Sequence, residues 1–148
     1  MLDFSFVKSV RKSYQPNKDI VRKIIRESLI KKYQQVYIDI SIVTEKSSKT
    51  ANLAYRNIDK PTNVIALEYA DTRDNFAILN GEIILCDKII VEEASLQNKE
   101  IINHYIHMLV HGILHIQGFD HVITEERQVM EKKEIMILEK FAINNPYI

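Results

Sequence analysis

Two hydrophobic periods run along this chain. Ile20, Val21, Ile24, Ile25 and Leu29 fall on one face of a helix expected over residues 18–32, with Asn17 placed to cap it. Val36, Ile38, Ile40 and Ile42 then alternate with Tyr37, Asp39 and Ser41, the pattern of a half-buried strand. Thr44 is placed to cap a second helix reaching about Tyr55. Pro61-Thr62 leads into a strand near Asn63–Glu68, Asp71–Leu79 reads as a loop, and Gly81 opens a strand over Glu82–Cys86. The first fifteen residues are less regular and suggest an edge strand near Asp3–Val7. Helices follow over Glu92–Gln97 and, longer, over about Glu100–Gln117, where Gly118 ends the run because glycine tolerates the left-handed conformation. Thr124, Glu125 and Glu126 open a last helix that turns Met130, Ile137, Leu138 and Phe141 inward. The pattern predicts a single α+β domain over residues 1–148, with one sheet of about four strands packed against several helices.

Composition narrows the class. At 148 residues the chain can bury a core without covalent staples, and Cys86, its only cysteine, excludes disulfide scaffolds and cysteine-rich metal sites. No stretch approaches the ~18 apolar residues of a membrane span, and Met1–Phe6 lacks the basic and apolar regions of a secretory signal, so a cytoplasmic protein is expected. The formal net charge of 0 hides a division: residues 1–60 carry 13 Lys/Arg against 6 Asp/Glu, leaving 7 against 14 for residues 61–148. A basic half can mark a nucleic-acid-facing surface, although solvated helix faces give the same count.

The chemistry gathers at the histidines. All five lie between His104 and His121. His111 and His115, four apart, share one helix face, the pair geometry of zinc sites built on a helix. A third ligand at His107 would stand two turns from His115, too far along a straight column to meet a common ion with ligand bonds of about 2.1 Å. His121 is the better third ligand, because Gly118 lets the chain leave the helix and turn back. Three protein ligands with one open position are the pattern of catalytic zinc, and one Zn²⁺ per chain is expected. His104 and His107 read as helix-surface residues or as partners behind the ligands. Asp120 is either a turn residue or an acceptor for an imidazole N–H.

The spacing matches the metzincin protease pattern, a zincin-like metal helix, except that Gly112 stands where the catalytic Glu belongs. Glycine cannot take a proton, which disfavours peptide hydrolysis, and its lack of a side chain suggests open space over the helix. Metal-assisted phosphodiester cleavage remains, and it needs fixed positive charge. Arg56 is the leading candidate, with a surface salt bridge to Asp59 as its plain alternative. A metalloprotease and a metal-stabilised RNA- or ribosome-binding module without catalysis are the competing readings.

The block Leu109–His121, together with Asn52, Tyr55-Arg56 and Asp59-Lys60-Pro61-Thr62, resembles the YbeY family of bacterial rRNA maturation factors. Gly81-Glu82-Ile83-Ile84, Glu93-Ala94 and Met130 with the Glu-rich helix after it extend the likeness over roughly residues 35–141. The resemblance implies a mixed sheet with helices and a single-strand-preferring, divalent-metal-dependent endoribonuclease. It also implies roles in 16S rRNA 3′-end processing and ribosome quality control, with rRNA and the small ribosomal subunit as partners. It assigns metal binding to His111, His115 and His121 and the functional arginine to Arg56. The chain departs from the family where Pro-Thr-Asp-Val-Leu-Ser-Phe-Pro is usual: here the residues are Pro61-Thr62-Asn63-Val64-Ile65-Ala66-Leu67-Glu68. Glu82 likewise replaces the common Asp after Gly81.

Overall fold

The computed structural model describes residues 1–69 and 78–148. Its elements run β1 (Leu2–Lys8), α1 (Lys18–Ser28), β2 (Gln35–Val43), α2 (Glu45–Arg56), β3 (Val64–Glu68), β4 (Ile78–Cys86), α3 (Asp87–Leu96), α4 (Ile101–Ile116) and α5 (Thr124–Glu139). The four strands form one mixed sheet in the order β1-β2-β4-β3. β1, β2 and β4 are parallel, and β3 runs antiparallel on the far edge of β4. This is the α+β architecture that the hydrophobic pattern predicts.

Local chemistry starts most elements where the sequence places them. The Asn17 side chain accepts from Ile20 N at 2.9 Å and caps α1, while Thr44 accepts from Ser47 N at 3.2 Å and caps α2. Val36, Ile38, Ile40 and Ile42 of β2 are buried, and Tyr37 and Asp39 between them are exposed. β4 lies between β2 and β3, and its end, Ile83-Ile84-Leu85-Cys86, is buried on successive residues, as a strand covered on both faces must be. α4 packs against α1, α3, α5, β3 and β4, which makes it the central helix.

Three boundaries differ from expectation. α1 stops at Ser28 rather than continuing to residue 32. Gln117, at the end of α4, donates to Ser28 O at 2.8 Å and accepts from Ile30 N at 2.9 Å, drawing the chain out of its helix. α3 begins at Asp87, five residues before the expected Glu92. The Asp87 carboxylate is fixed there by Tyr14 Oη at 2.7 Å, Gln15 Nε2 at 3.0 Å and the Tyr105 hydroxyl. β4 already includes Ile78 and Leu79; the remainder of the expected loop, residues 71–77, lies outside the described residues.

Candidate metal centre

α4 carries His104, His107, His111 and His115, and it is buried from His104 through Val110 and again from Gly112 to Leu114. His111 and His115 are among the few points where it reaches the surface, both half-buried. The helix ends in a Schellman turn. Gly118, at φ 99°, donates to His115 O at 3.0 Å, and Phe119 N donates to Leu114 O at 3.3 Å. The turn carries His121 back beside the helix, with its ring centroid 5.2 Å from that of His111 and 6.1 Å from that of His115.

One ligand atom each from His115, Asp120 and His121 lies within 4.8 Å of the others. Among the described residues, Asp120 thus takes the place in this group that the spacing assigns to His111, which stands outside it with its ring beside that of His121. Asp120 Oδ1 also accepts from His121 N at 2.7 Å, so it shapes the turn, one of the two roles the sequence leaves open.

Both helical ligand candidates have their inner nitrogen occupied. His115 Nδ1 bonds Phe119 O at 3.1 Å, and His111 Nδ1 bonds Glu134 Oε1 at 2.5 Å. A carbonyl and a carboxylate only accept, so each Nδ1 carries a proton, and a neutral ring so held has its bare lone pair at Nε2. Burial pushes the His115 pKa down, which favours the neutral ring that a metal requires. Glu134 is wholly buried. Burial alone would raise its pKa, but His107, His111 and Tyr147 around it outweigh that and hold it at about 2. Imidazole nitrogens backed by acceptors, with a carboxylate alongside, suit a borderline divalent cation such as Zn²⁺.

Gly112 does not open space over the helix. It is buried, and a Cβ there would stand 3.3 Å from Ile83 Cδ1, so its role is close packing of α4 on β4. His104 and His107 are buried too, at 2% and 6% exposure, and are not surface residues. His104 Nε2 bonds Glu93 Oε1 at 2.9 Å, and Asn63 Nδ2 donates to both oxygens of the same carboxylate at 3.1 and 3.2 Å.

Arg56 ends α2, followed by Asn57 in the left-handed conformation at φ 59°. The loop after it is pinned to the helix by buried side chains. Asn52 Nδ2 donates to Lys60 O at 2.8 Å, and Ser48 Oγ both donates to Thr62 O and accepts from Thr62 N at 3.0 Å. Asp59 pairs with Lys49 Nζ at 3.8 Å, and among the described residues it makes no ion pair with Arg56. Arg56 is exposed, yet desolvation by the surrounding chain lowers its pKa, which a nearby phosphate would offset.

Sequence reasoning missed Glu134 and Tyr147. Glu134 had a signal: it continues the inward face of α5 between Met130 and Ile137, where a lone carboxylate needs a partner. Tyr147 lies in the tail beyond α5 and belongs to no periodic pattern.

A family model described as Endoribonuclease YbeY matches residues 7–142. A curated protein named Endoribonuclease YbeY from Colwellia psychrerythraea is 40% identical over 116 residues, covering 78% of this chain and 74% of that protein. Another of that name, from Nitrosomonas eutropha, is 36% identical over 133 residues, covering 90% of this chain and 89% of its own. A Thermotoga maritima protein solved in solution shares the fold, with a TM-score of 0.54 and 22% identity over 99% of this chain and 96% of that one.

Proposed function

The chain belongs to the YbeY family of endoribonucleases, and from that membership we propose that residues 1–148 form one metal-dependent nuclease domain that cleaves single-stranded RNA. Its proposed setting is 16S rRNA 3′-end maturation and ribosome quality control on the small ribosomal subunit, in the bacterial cytoplasm. One Zn²⁺ per chain is held by His111, His115 and His121, with Asp120 beside them. The observation that supports this most strongly is the turn after α4, which sets the His121 ring 5.2 Å and 6.1 Å from those of His111 and His115.

When bound, the cation supplies positive charge against the charge developing on phosphodiester oxygens. The side chains organise the substrate around it. The Arg56 guanidinium grips a phosphate through two N–H groups. The rings of His111 and His115 stay fixed because Glu134 and Phe119 O hold their Nδ1 protons. The 13 basic residues among the first 60 favour an RNA backbone. With Gly112 packed on Ile83, the helix lacks the carboxylate base of a metzincin, which speaks against a protease.

The test compares wild type with His115→Ala and Arg56→Glu. Wild type should bind about one Zn²⁺ and cleave a single-stranded RNA. His115→Ala should lose both, while Arg56→Glu should lose about 100-fold in cleavage with metal content and Tm nearly unchanged. Full metal content and full cleavage in His115→Ala would overturn the site.

A further inference from the structure

The C-terminal tail reaches the rear of the metal site. After α5 the chain reverses at Ala142, which takes the left-handed conformation at φ 58°, and Ile143 N bonds back to Leu138 O at 3.1 Å. The reversal brings Tyr147 over α4 and α5. The residue is 44% exposed, but its hydroxyl bonds Glu134 Oε2, on a residue with no exposed surface.

Counting protons fixes the direction of each bond. Glu134 Oε1 takes the Nδ1 proton of His111, and Oε2 takes the single proton of the Tyr147 hydroxyl. That hydroxyl has only acceptor capacity left, so His107 Nε2, 3.3 Å away, must donate to it. His107 Nδ1 is then a bare lone pair, in agreement with its lack of a hydrogen-bond partner in the core. Its orphan is an acceptor, which is the less costly kind. The result is a directed chain, His107 to Tyr147 to Glu134 and, from the other side, His111 to Glu134. Each carboxylate oxygen thus accepts one hydrogen bond, and the pair opposes rotation of the carboxylate away from His111.

We propose that Tyr147 is a positioning residue for His111, its hydroxyl locking Glu134 so that His111 keeps its Nδ1 proton and presents a bare Nε2 to the metal site. The inference rests on the reading of His111 as a metal ligand. Tyr147 acts on His111 through Glu134, which its hydroxyl bonds. Removing the hydroxyl frees one carboxylate oxygen and lets the Glu134 plane turn, and the preference of His111 for one tautomer weakens.

The test uses the full chain and Tyr147→Phe, which keeps the ring over Glu134. In metal-free protein, the ¹⁵N shifts of the His111 ring should report a single tautomer in wild type and a mixture in Tyr147→Phe. Zn²⁺ affinity, measured by competition with a chromophoric chelator, should fall about tenfold. The Tm of metal-free Tyr147→Phe reports any general loss of structure, which would not by itself select a His111 tautomer. An unchanged tautomer, or a Zn²⁺ affinity within about twofold of wild type, overturns the proposal. A wild-type chain that takes up no Zn²⁺ fails the reading of the site instead, and the metal-free tautomer then decides the role of Tyr147.

Discussion

At the scale of single residues, Asn63 shows what a departure from the family pattern does. A carboxylate is usual at this position, but here the amide donates to both oxygens of Glu93 while its own Oδ1 accepts from Val64 N at 2.6 Å. Burial pushes the Glu93 pKa up, and the hydrogen bonds from His104 and Asn63 outweigh it, leaving the pKa below its ordinary value. A depressed carboxylate stabilises the folded chain above the usual carboxylate range, and that contribution fades as pH falls through the lowered value. Asn63→Asp keeps the acceptor for Val64 and turns the donor into a second carboxylate facing Glu93. It should destabilise the protein by about 1–3 kcal/mol at neutral pH. The deficit should shrink below about pH 5, where one of the two carboxyls takes a proton. Thermal melts of both proteins from pH 4 to 8 measure this; a deficit independent of pH would refute it.

At the scale of elements, the legible parts are those whose information is local. The caps at Asn17 and Thr44, the alternation of β2 and the Gly118 turn all lie within a few residues of what they specify. The end of α1 does not: its stop at Ser28 is written at Gln117, 89 positions away. The start of α3 is hidden in the same way, because Lys88-Ile89-Ile90-Val91 reads like continuing strand and only the contacts of Tyr14, Gln15 and Tyr105 with Asp87 settle the matter. The metal candidates were legible from spacing and one glycine, whereas the groups that orient them, Glu134 and Tyr147, come from α5 and the tail. Gln117 is the sharpest test of such distant control. It is 4% exposed and bonds both Ser28 O and Ile30 N, so Gln117→Ala strands two polar groups at once. A loss of about 2–4 kcal/mol in denaturant unfolding is expected. A loss under about 0.5 kcal/mol, the size of an ordinary surface change, would mean that α1 stops at Ser28 for another reason.

At the scale of the molecule, the candidate ligands are tied to the core. α4 is the central helix, packed on α1, α3, α5, β3 and β4, and its last turns carry the half-buried His111 and His115. His121 joins them only while the Gly118 turn is intact, and His111 is braced by α5 through Glu134. The unfolded chain keeps none of this convergence, so a divalent cation bound at these residues would favour the folded form and add its binding energy to global stability. At free metal a hundredfold above Kd the gain is about 2.7 kcal/mol. For a domain near this size, that is a rise in Tm of about 5–10 °C. Zn²⁺ should therefore raise the Tm of the metal-free chain by that amount, and a chelator should reverse the rise. His115→Ala should melt at one temperature with or without Zn²⁺. A Tm indifferent to Zn²⁺ in wild type would mean that the rings approach one another without forming a site, and the nuclease reading would then have to stand without its metal.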